Sequence, residues 1–228
     1  MSAAGRRPEP VADGPVGPEE FARATGVSRE TLQKLTRYQE LLGKWQARIN
    51  LVSRETLPDS WRRHFLDSAQ LYPHLNGRVL FDLGSGAGFP GLVLAIMAAE
   101  GRPIETHLVE SDGRKAAFLA EVAREVGLAR RVTVHVARIE RLPLDRLPRA
   151  DTVTARALAP LSELLDYAAP LLAPGGICLF LKGAKANAEL TEARKSWTMQ
   201  ADSIRSITDS SGAVLRLAGI ARGRTATT

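Results

Sequence analysis

The residues with chemistry in their spacing lie in one stretch, Phe81-Asp-Leu-Gly-Ser-Gly-Ala-Gly-Phe-Pro-Gly91. A glycine-rich turn between a strand and a helix lets the backbone approach a ligand closely. The helix N-terminus beyond it offers unpaired N–H groups with a partial positive charge. Read from Gly86, the spacing is G-x-G-x-x-G, the dinucleotide fingerprint; read from Gly84, it is acidic-x-G-x-G-x-G, a loop by which many enzymes hold S-adenosylmethionine. Asp82 favours the second frame, because a carboxylate beside the first glycine repels a pyrophosphate and suits the cationic amino-acid end of S-adenosylmethionine, directly or through water. Glu110 closes the next apolar run, where both ligand classes place a carboxylate on ribose hydroxyls. It marks an adenosine site without choosing the cofactor.

What is missing narrows the acceptor. Hydroxyl acceptors want a general base, a pyrimidine carbon wants an attacking thiolate, and exocyclic amines usually come with an Asn/Asp-Pro-Pro-aromatic clamp. The chain has no Pro-Pro pair, and its one cysteine, Cys178, lies inside the apolar run Ile177–Leu181, where a structural thiol is the plainer reading. Thr154-Ala-Arg-Ala-Leu158 occupies the clamp position. An acceptor with a lone pair and no proton, such as guanine N7, needs only positioning and desolvation. Arg156 is then a candidate for orienting it through guanine O6 or a phosphate, the plainer alternative being a strand-end arginine that pairs a local carboxylate. Arg138 and Lys182 follow two other strands and fall along the same carboxyl edge. His64 and Asp67 share a helical face, where a structural pair is the simpler reading; Trp45 and Trp61 read as packing groups.

The elements that must position these residues are readable. Short apolar runs at Val79–Leu83, Thr106–Glu110, Val132–Ala137, Thr152–Ala155 and Gly176–Leu181 alternate with helical segments at Gly91–Ala99, Arg114–Val126 and Leu161–Leu172. Such alternation predicts an α/β fold with a mostly parallel sheet covered on both faces. Ser203–Thr208 and Ala213–Ile220 flank Asp209-Ser-Ser-Gly212 and predict a closing antiparallel pair. Upstream, Leu32, Leu35, Tyr38, Leu41 and Trp45 recur at helical spacing after a Ser28 N-cap, and a second amphipathic piece spans Trp61–Leu71. The organisation expected is a flexible tail over 1–20, a helical region over 21–75 and the α/β domain over 76–228.

Composition sets the outer bounds. The chain has 228 residues, 44% hydrophobic and 25% charged, with a net charge of +6 and a pI of about 9.9. An excess of cations favours a polyanionic partner. A lone cysteine supports neither a disulfide framework nor a cysteine-rich metal site, and no apolar run approaches membrane-spanning length. These features predict a cytoplasmic protein without a metal.

Several segments together resemble a known family. Trp45-x-x-x-Ile-Asn-Leu51, Arg63-His-Phe-Leu-Asp-Ser68, the glycine stretch, Leu108-Val-Glu-Ser111 with Lys115 and Phe118-Leu119, Arg138-Ile-Glu140, Ala155-Arg-Ala157 and Leu181-Lys-Gly183 are similar to the bacterial 16S ribosomal RNA guanine-N7 methyltransferases, the glucose-inhibited division protein B family. The resemblance implies a class I methyltransferase fold: a Rossmann-like seven-stranded sheet with its last strand antiparallel and a small N-terminal helical extension. It implies S-adenosylmethionine as donor, with S-adenosylhomocysteine as product. The acceptor would be guanine N7 in 16S ribosomal RNA near the decoding centre, within the 30S subunit or a late precursor, and the enzyme a monomer.

By position, Asp82, Gly84, Gly86, Gly88 and Phe89 would serve the cofactor at the loop, Glu110 its ribose, and Ile139 and Glu140 its adenine. Arg156 would border cofactor and acceptor, with Arg138 and Lys182 beside the reaction. His64, Arg114, Lys115, Arg138 and Lys182 would line the RNA side. Arg216 fits the family pattern only with a shift, and Ala186–Ser206 resembles nothing specific. An NAD(P)-dependent oxidoreductase and a non-catalytic RNA-binding module on the same fold are the alternatives.

Overall fold

The computed structural model describes Pro8 and residues 16–223. Its centre is one seven-stranded sheet of order β3-β2-β1-β4-β5-β7-β6. The strands are β1 (Val79–Leu83), β2 (Glu105–Glu110), β3 (Val132–Val136), β4 (Ala150–Arg156), β5 (Leu172–Lys182), β6 (Trp197–Arg205) and β7 (Ala213–Arg222). β1 to β5 pair in parallel, whereas β7 runs antiparallel to both β5 and β6. A parallel strand covered on both faces must be apolar on both, which is why β1 and the end of β5 are nearly continuous hydrophobic runs. β1 lies between β2 and β4, so the chain leaves it in opposite directions on its two sides. Ligand crevices of open α/β sheets form at this switch point.

Helix α1 (Pro18–Thr25) begins inside the stretch expected as a tail. Pro18 sits at the first helical position, Glu20 reaches back to the Gly17 N–H at 3.1 Å, and Phe21 is buried against Trp61 with ring centroids 5.3 Å apart. The rest of the expected tail, apart from Pro8 and residues 16–17, lies outside the described residues. Helix α2 (Arg29–Gln46) is capped by Ser28, whose hydroxyl accepts from the Thr31 N–H at 3.0 Å. A π-helical turn, Trp61–Leu66, continues into the short α3 (Asp67–Ala69). Leu35, Tyr38, Leu41 and Leu42 of α2 share one apolar cluster with Phe89, Leu92, Leu108, Phe118 and Leu119. The N-terminal helices and one face of the sheet therefore have a common core.

Between the strands run α4 (Gly91–Ala98), α5 (Gly113–Glu125), α6 (Leu161–Ala168) and α7 (Ala186–Ala193). Every residue of α4 is buried. From β3 to β4 the chain makes only two 3-10 turns, Ile139–Arg141 and Leu144–Arg146, with Pro143 and Pro148 interrupting any longer helix. α6 ends four residues before its expected end at Leu172, because Pro170 tightens the chain into a 3-10 turn, Ala169–Leu171. No helix among the described residues is long and apolar enough to cross a membrane.

Candidate active site

β1 stops at Leu83 and α4 starts at Gly91, so Gly84 is the first residue of the loop. Gly84 has φ of +63°, and a Cβ there would come within 2.6 Å of Leu158 Cδ1. Gly88 has φ of +92°, and its Cβ would lie 2.6 Å from the Tyr38 hydroxyl. Both positions need glycine for backbone conformation and for space. The loop is tied down from several directions. The Ser85 N–H donates to the Val109 carbonyl at 3.0 Å, the Gly86 N–H to Glu110 Oε2 at 2.9 Å, and the Tyr38 hydroxyl to the Ala87 carbonyl. Glu110 Oε1 accepts from the Asp112 N–H at 2.8 Å, so this carboxylate links the loop to the turn before α5.

Asp82 stands behind the loop and does not line the cavity in front of it. It is fully buried, accepts from the Thr154 hydroxyl at 2.8 Å, and receives the Gly91 N–H at 3.3 Å. Desolvation pushes its carboxyl up to about 6 against the pull of those hydrogen bonds. Asp82 is an anchor joining β1, β4 and the start of α4, and of the two contacts expected with a ligand's cationic end this position suits the one through water.

In front of the loop lies a cavity of about 890 Å³. It is lined by Gly84–Ala87 and Phe89 on one side, Arg156–Pro160 and Leu181–Gly183 on another, and Leu51–Ser53, Thr56, Arg63, His64 and Asp67 on a third. Of the residues predicted for the site it gathers Gly84, Gly86, Phe89, His64, Arg156 and Lys182. Glu110 is buried at its edge, and Gly88 packs on Tyr38. Arg138 is exposed and leads into the turn holding Ile139 and Glu140, where Glu140 accepts from the Tyr167 hydroxyl at 3.0 Å. Arg114 and Lys115 line a different cavity.

Arg156 is the hub of the wall opposite the loop. Its Nη1 donates to the Arg63 carbonyl at 3.1 Å and to His64 Nδ1 at 3.0 Å, its guanidinium lies 5.2 Å from the Phe89 ring centroid, and Asp67 Oδ2 is 3.7 Å away. A guanidinium only donates, so His64 Nδ1 accepts and Nε2 carries the proton, which it gives to Thr56 Oγ1 at 2.9 Å. The Thr56 hydroxyl is free to receive it because its own proton goes to the Ser53 carbonyl at 2.9 Å. Burial, then the charges of Arg156 and Arg63, push the His64 imidazole down to about 3, so it is neutral. His64 and Asp67 meet through Arg156 and not directly. Asp67 Oδ1 accepts from the Thr208 hydroxyl at 2.6 Å and from Gln70 Nε2 at 2.9 Å, and Gln70 Oε1 receives the Ile207 N–H at 3.1 Å. The wall is thereby tied to the connection between β6 and β7.

Lys182 is turned inward. Its Nζ donates to the Ala159 carbonyl and meets Glu189 Oε2, each at 2.7 Å, while the same Glu189 oxygen receives the Leu161 N–H at 2.8 Å. This set fixes the segment after β4, where Ala157 has φ of +49°. Sequence reasoning assigned no role to Tyr38, Thr56, Thr154 and Glu189. Tyr38 carries no signal beyond its place on an apolar helix face, Thr154 is only the first residue of the segment at the clamp position, and Thr56 and Glu189 are ordinary polar residues outside any motif.

A glycine loop at the switch point, a carboxylate closing β2, and a reversed β7 between β5 and β6 define a class I S-adenosylmethionine-dependent methyltransferase fold. The dinucleotide frame is not favoured: Gly86 is the third residue of the loop, and the sheet departs from the all-parallel dinucleotide order. The fold is similar to that of the O-methyltransferase TomG from Streptomyces achromogenes, solved in complex with S-adenosylmethionine (TM-score 0.58, 16% identity, 87% of this chain and 93% of that one). It is also similar to that of an O-methyltransferase from Bacillus cereus in complex with S-adenosylhomocysteine (TM-score 0.59, 13% identity, 88% and 96%).

Within this class the chain is placed by its sequence. The family described as "GidB: rRNA small subunit methyltransferase G" matches residues 31–215. Proteins named ribosomal RNA small subunit methyltransferase G are 60% identical in Rhodospirillum centenum, over 89% of this chain and 90% of that one, and 56% identical in Paramagnetospirillum magneticum, over 92% and 98%. The chain belongs to this family, as its motifs led us to expect.

Proposed function

We propose that this chain transfers a methyl group from S-adenosylmethionine to N7 of a guanine in 16S ribosomal RNA, near the decoding centre. Its substrate is the 30S subunit or a late precursor, and it acts as a cytoplasmic monomer. The name borne by its relatives supports ribosomal RNA of the small subunit as substrate. The choice of N7 rests on one observation: every acid and imidazole lining the cavity is already engaged. Asp67 accepts from Thr208 and Gln70, Glu189 from Leu161 and Lys182, Asp209 from Ser211, and both nitrogens of His64 are taken. The imidazole has no nitrogen left to take a proton from the acceptor, and the carboxylates are committed to contacts that hold the fold. Cys178 is buried within β5 with its thiol pushed up by desolvation, which leaves no thiolate route. N7 of guanine presents a lone pair and no proton.

The residues present fit the donor. A Cβ on Gly86 would meet nothing nearer than the Gly84 carbonyl at 3.8 Å, so bare backbone faces the cavity beside the Glu110 carboxylate. Gly84, Gly86, Phe89 and Glu110 would hold S-adenosylmethionine, which supplies a methyl group activated by its sulfonium. The rest falls to the chain. Phe89, His64 and Arg156 form a stacked, desolvated wall, with His64 and Phe89 ring centroids 5.0 Å apart. Leu158 covers Gly84 and helps to exclude water.

The test is transfer of tritiated methyl to 30S subunits, and to naked 16S RNA, from cells lacking the enzyme, followed by borohydride and aniline treatment, which cuts RNA at N7-methylguanine. Label that appears at one aniline-sensitive guanine supports the reading. Absence of label, or label that resists cleavage, rejects it. RNA binding without transfer would instead favour the non-catalytic module.

A further inference from the structure

Arg48, Arg54, Arg114 and Lys115 line one groove, between the loop after α2 and the start of α5, with Asp112 as the groove's single carboxylate. Arg48, Arg54 and Arg114 are exposed, and Lys115 is half-buried. Asp112 caps α5 by accepting from the Arg114 and Lys115 N–H groups, and its other oxygen lies 3.6 Å from the Arg114 guanidinium. Arg48, Arg54 and Lys115 have no carboxylate partner among the described residues. Gathered like charges without counter-charge repel one another, and a polyanion relieves that repulsion. No aromatic ring lines the groove, so it offers bases nothing to stack on and suits phosphates instead.

The loop that forms this groove also bounds the methyl-transfer cavity. Leu51, Val52 and Ser53 face the cavity, while Asn50 and Arg54 face the groove. Gln46 makes that wall rigid: its Oε1 accepts from the Leu51 and Val52 N–H groups, both at 3.0 Å, and its Nε2 donates to the Val52 carbonyl at 2.9 Å. We propose that the groove binds the sugar–phosphate backbone of the substrate RNA next to the target base, with Arg48 and Arg54 as its phosphate contacts and the strand passing over Asn50–Arg54 into the cavity. The proposal rests on the reading of this chain as an RNA methyltransferase.

The test is the double variant Arg48→Ala, Arg54→Ala in the full chain. It should raise KM for 30S subunits about tenfold or more, leave kcat within about twofold, and leave S-adenosylhomocysteine affinity unchanged. The slope of log affinity against log salt should become shallower by about 1 to 2, since each lost phosphate contact removes roughly 0.7 to 0.9. Arg130→Ala with Arg131→Ala is the charge-matched control; these residues precede β3, at the amino end of the parallel strands, whereas the groove lies beyond the carboxyl end of β2. An unchanged KM and salt slope, an equal effect in the control, or a loss of S-adenosylhomocysteine affinity would each overturn the proposal. A wild type that binds the RNA but transfers no methyl group defeats the parent reading alone, because the salt slope still reports on the groove.

Discussion

The Tyr38 hydroxyl donates to the Ala87 carbonyl, so a helix of the N-terminal extension holds the glycine loop by its backbone. The same ring stacks on Phe89, with centroids 5.2 Å apart and planes 19° from parallel. Tyr38→Phe keeps the stacking and leaves a buried carbonyl without its partner, at a cost of about 1 to 3 kcal/mol. Part of that cost falls on the loop, so S-adenosylhomocysteine affinity should drop about tenfold, equivalent to roughly 1.4 kcal/mol. Calorimetry beside a urea titration checks this; a loss of stability with unchanged affinity would reduce Tyr38 to a packing residue.

Gly84→Val should abolish binding of S-adenosylhomocysteine while the chain remains folded by circular dichroism. A β-branched residue at φ of +63° is strained by about 1 to 3 kcal/mol, and its Cβ would displace Leu158 from 2.6 Å. Gly84→Ala should bind weakly rather than not at all. Normal affinity in the valine variant would remove Gly84 from the cofactor site.

Arg156→Ala should lose both stability and turnover, for separable reasons. Stability falls by about 1 to 3 kcal/mol because the half-buried Asp67 loses the guanidinium beside it. Adding Asp67→Asn should recover much of that stability, since the stranded charge is gone, and should not recover methyl transfer. Full rescue of activity by the second change would show that Arg156 serves the fold alone.

Asp82 and His64 shift stability with pH in opposite senses. The Asp82 carboxyl rises from 3.8 to about 6 in the folded protein, so between those values the native state holds a proton that the unfolded chain releases, and stability falls as pH rises. His64 falls from 6.5 to about 3, so the unfolded chain takes a proton that the native state refuses, and stability falls as pH drops below 6.5. The two nearly cancel between pH 4 and 6. In Asp82→Asn the histidine effect is no longer offset by this carboxyl, so the slope should steepen by up to about 1.4 kcal/mol per pH unit. Urea unfolding of both proteins from pH 4.5 to 7 should give diverging curves; parallel curves would mean that the Asp82 carboxyl is not raised.

The central strands were legible because burial on both faces demands continuous apolar runs, and β1 falls on the residues expected for it. Helix α7 was not anticipated. Its buried stripe is Ala186, Leu190 and Ala193, and two alanines leave little periodic signal. β6 begins at Trp197, earlier than expected, because an edge strand partly facing solvent reads as polar. Within the site, residue type marked the glycine loop, Glu110 and Arg156, but direction did not follow from type. Asp82 turns toward α4 because Thr154 and the Gly91 N–H wait there, and Lys182 turns toward Ala159 because Glu189 stands behind it. Which neighbour a strand-end charge finds depends on helices encoded elsewhere in the chain, such as α7, which carries Glu189.

The ties from Asp67 to Thr208 and from Gln70 to Ile207 join positions 141 and 137 residues apart. During synthesis the first partner of each pair leaves the ribosome long before the second. Until β6 and the connection after it emerge, Asp67 lacks its hydroxyl donor and the wall that carries Arg156 lacks this brace. The side chains that tie the glycine loop, Tyr38 and Glu110, both come early in the chain, whereas the brace of the acceptor side is completed only once Ile207 and Thr208 have been made. A chain truncated before Ile207 would keep the fingerprint by which it is recognised and lack the brace on which the finished acceptor wall depends.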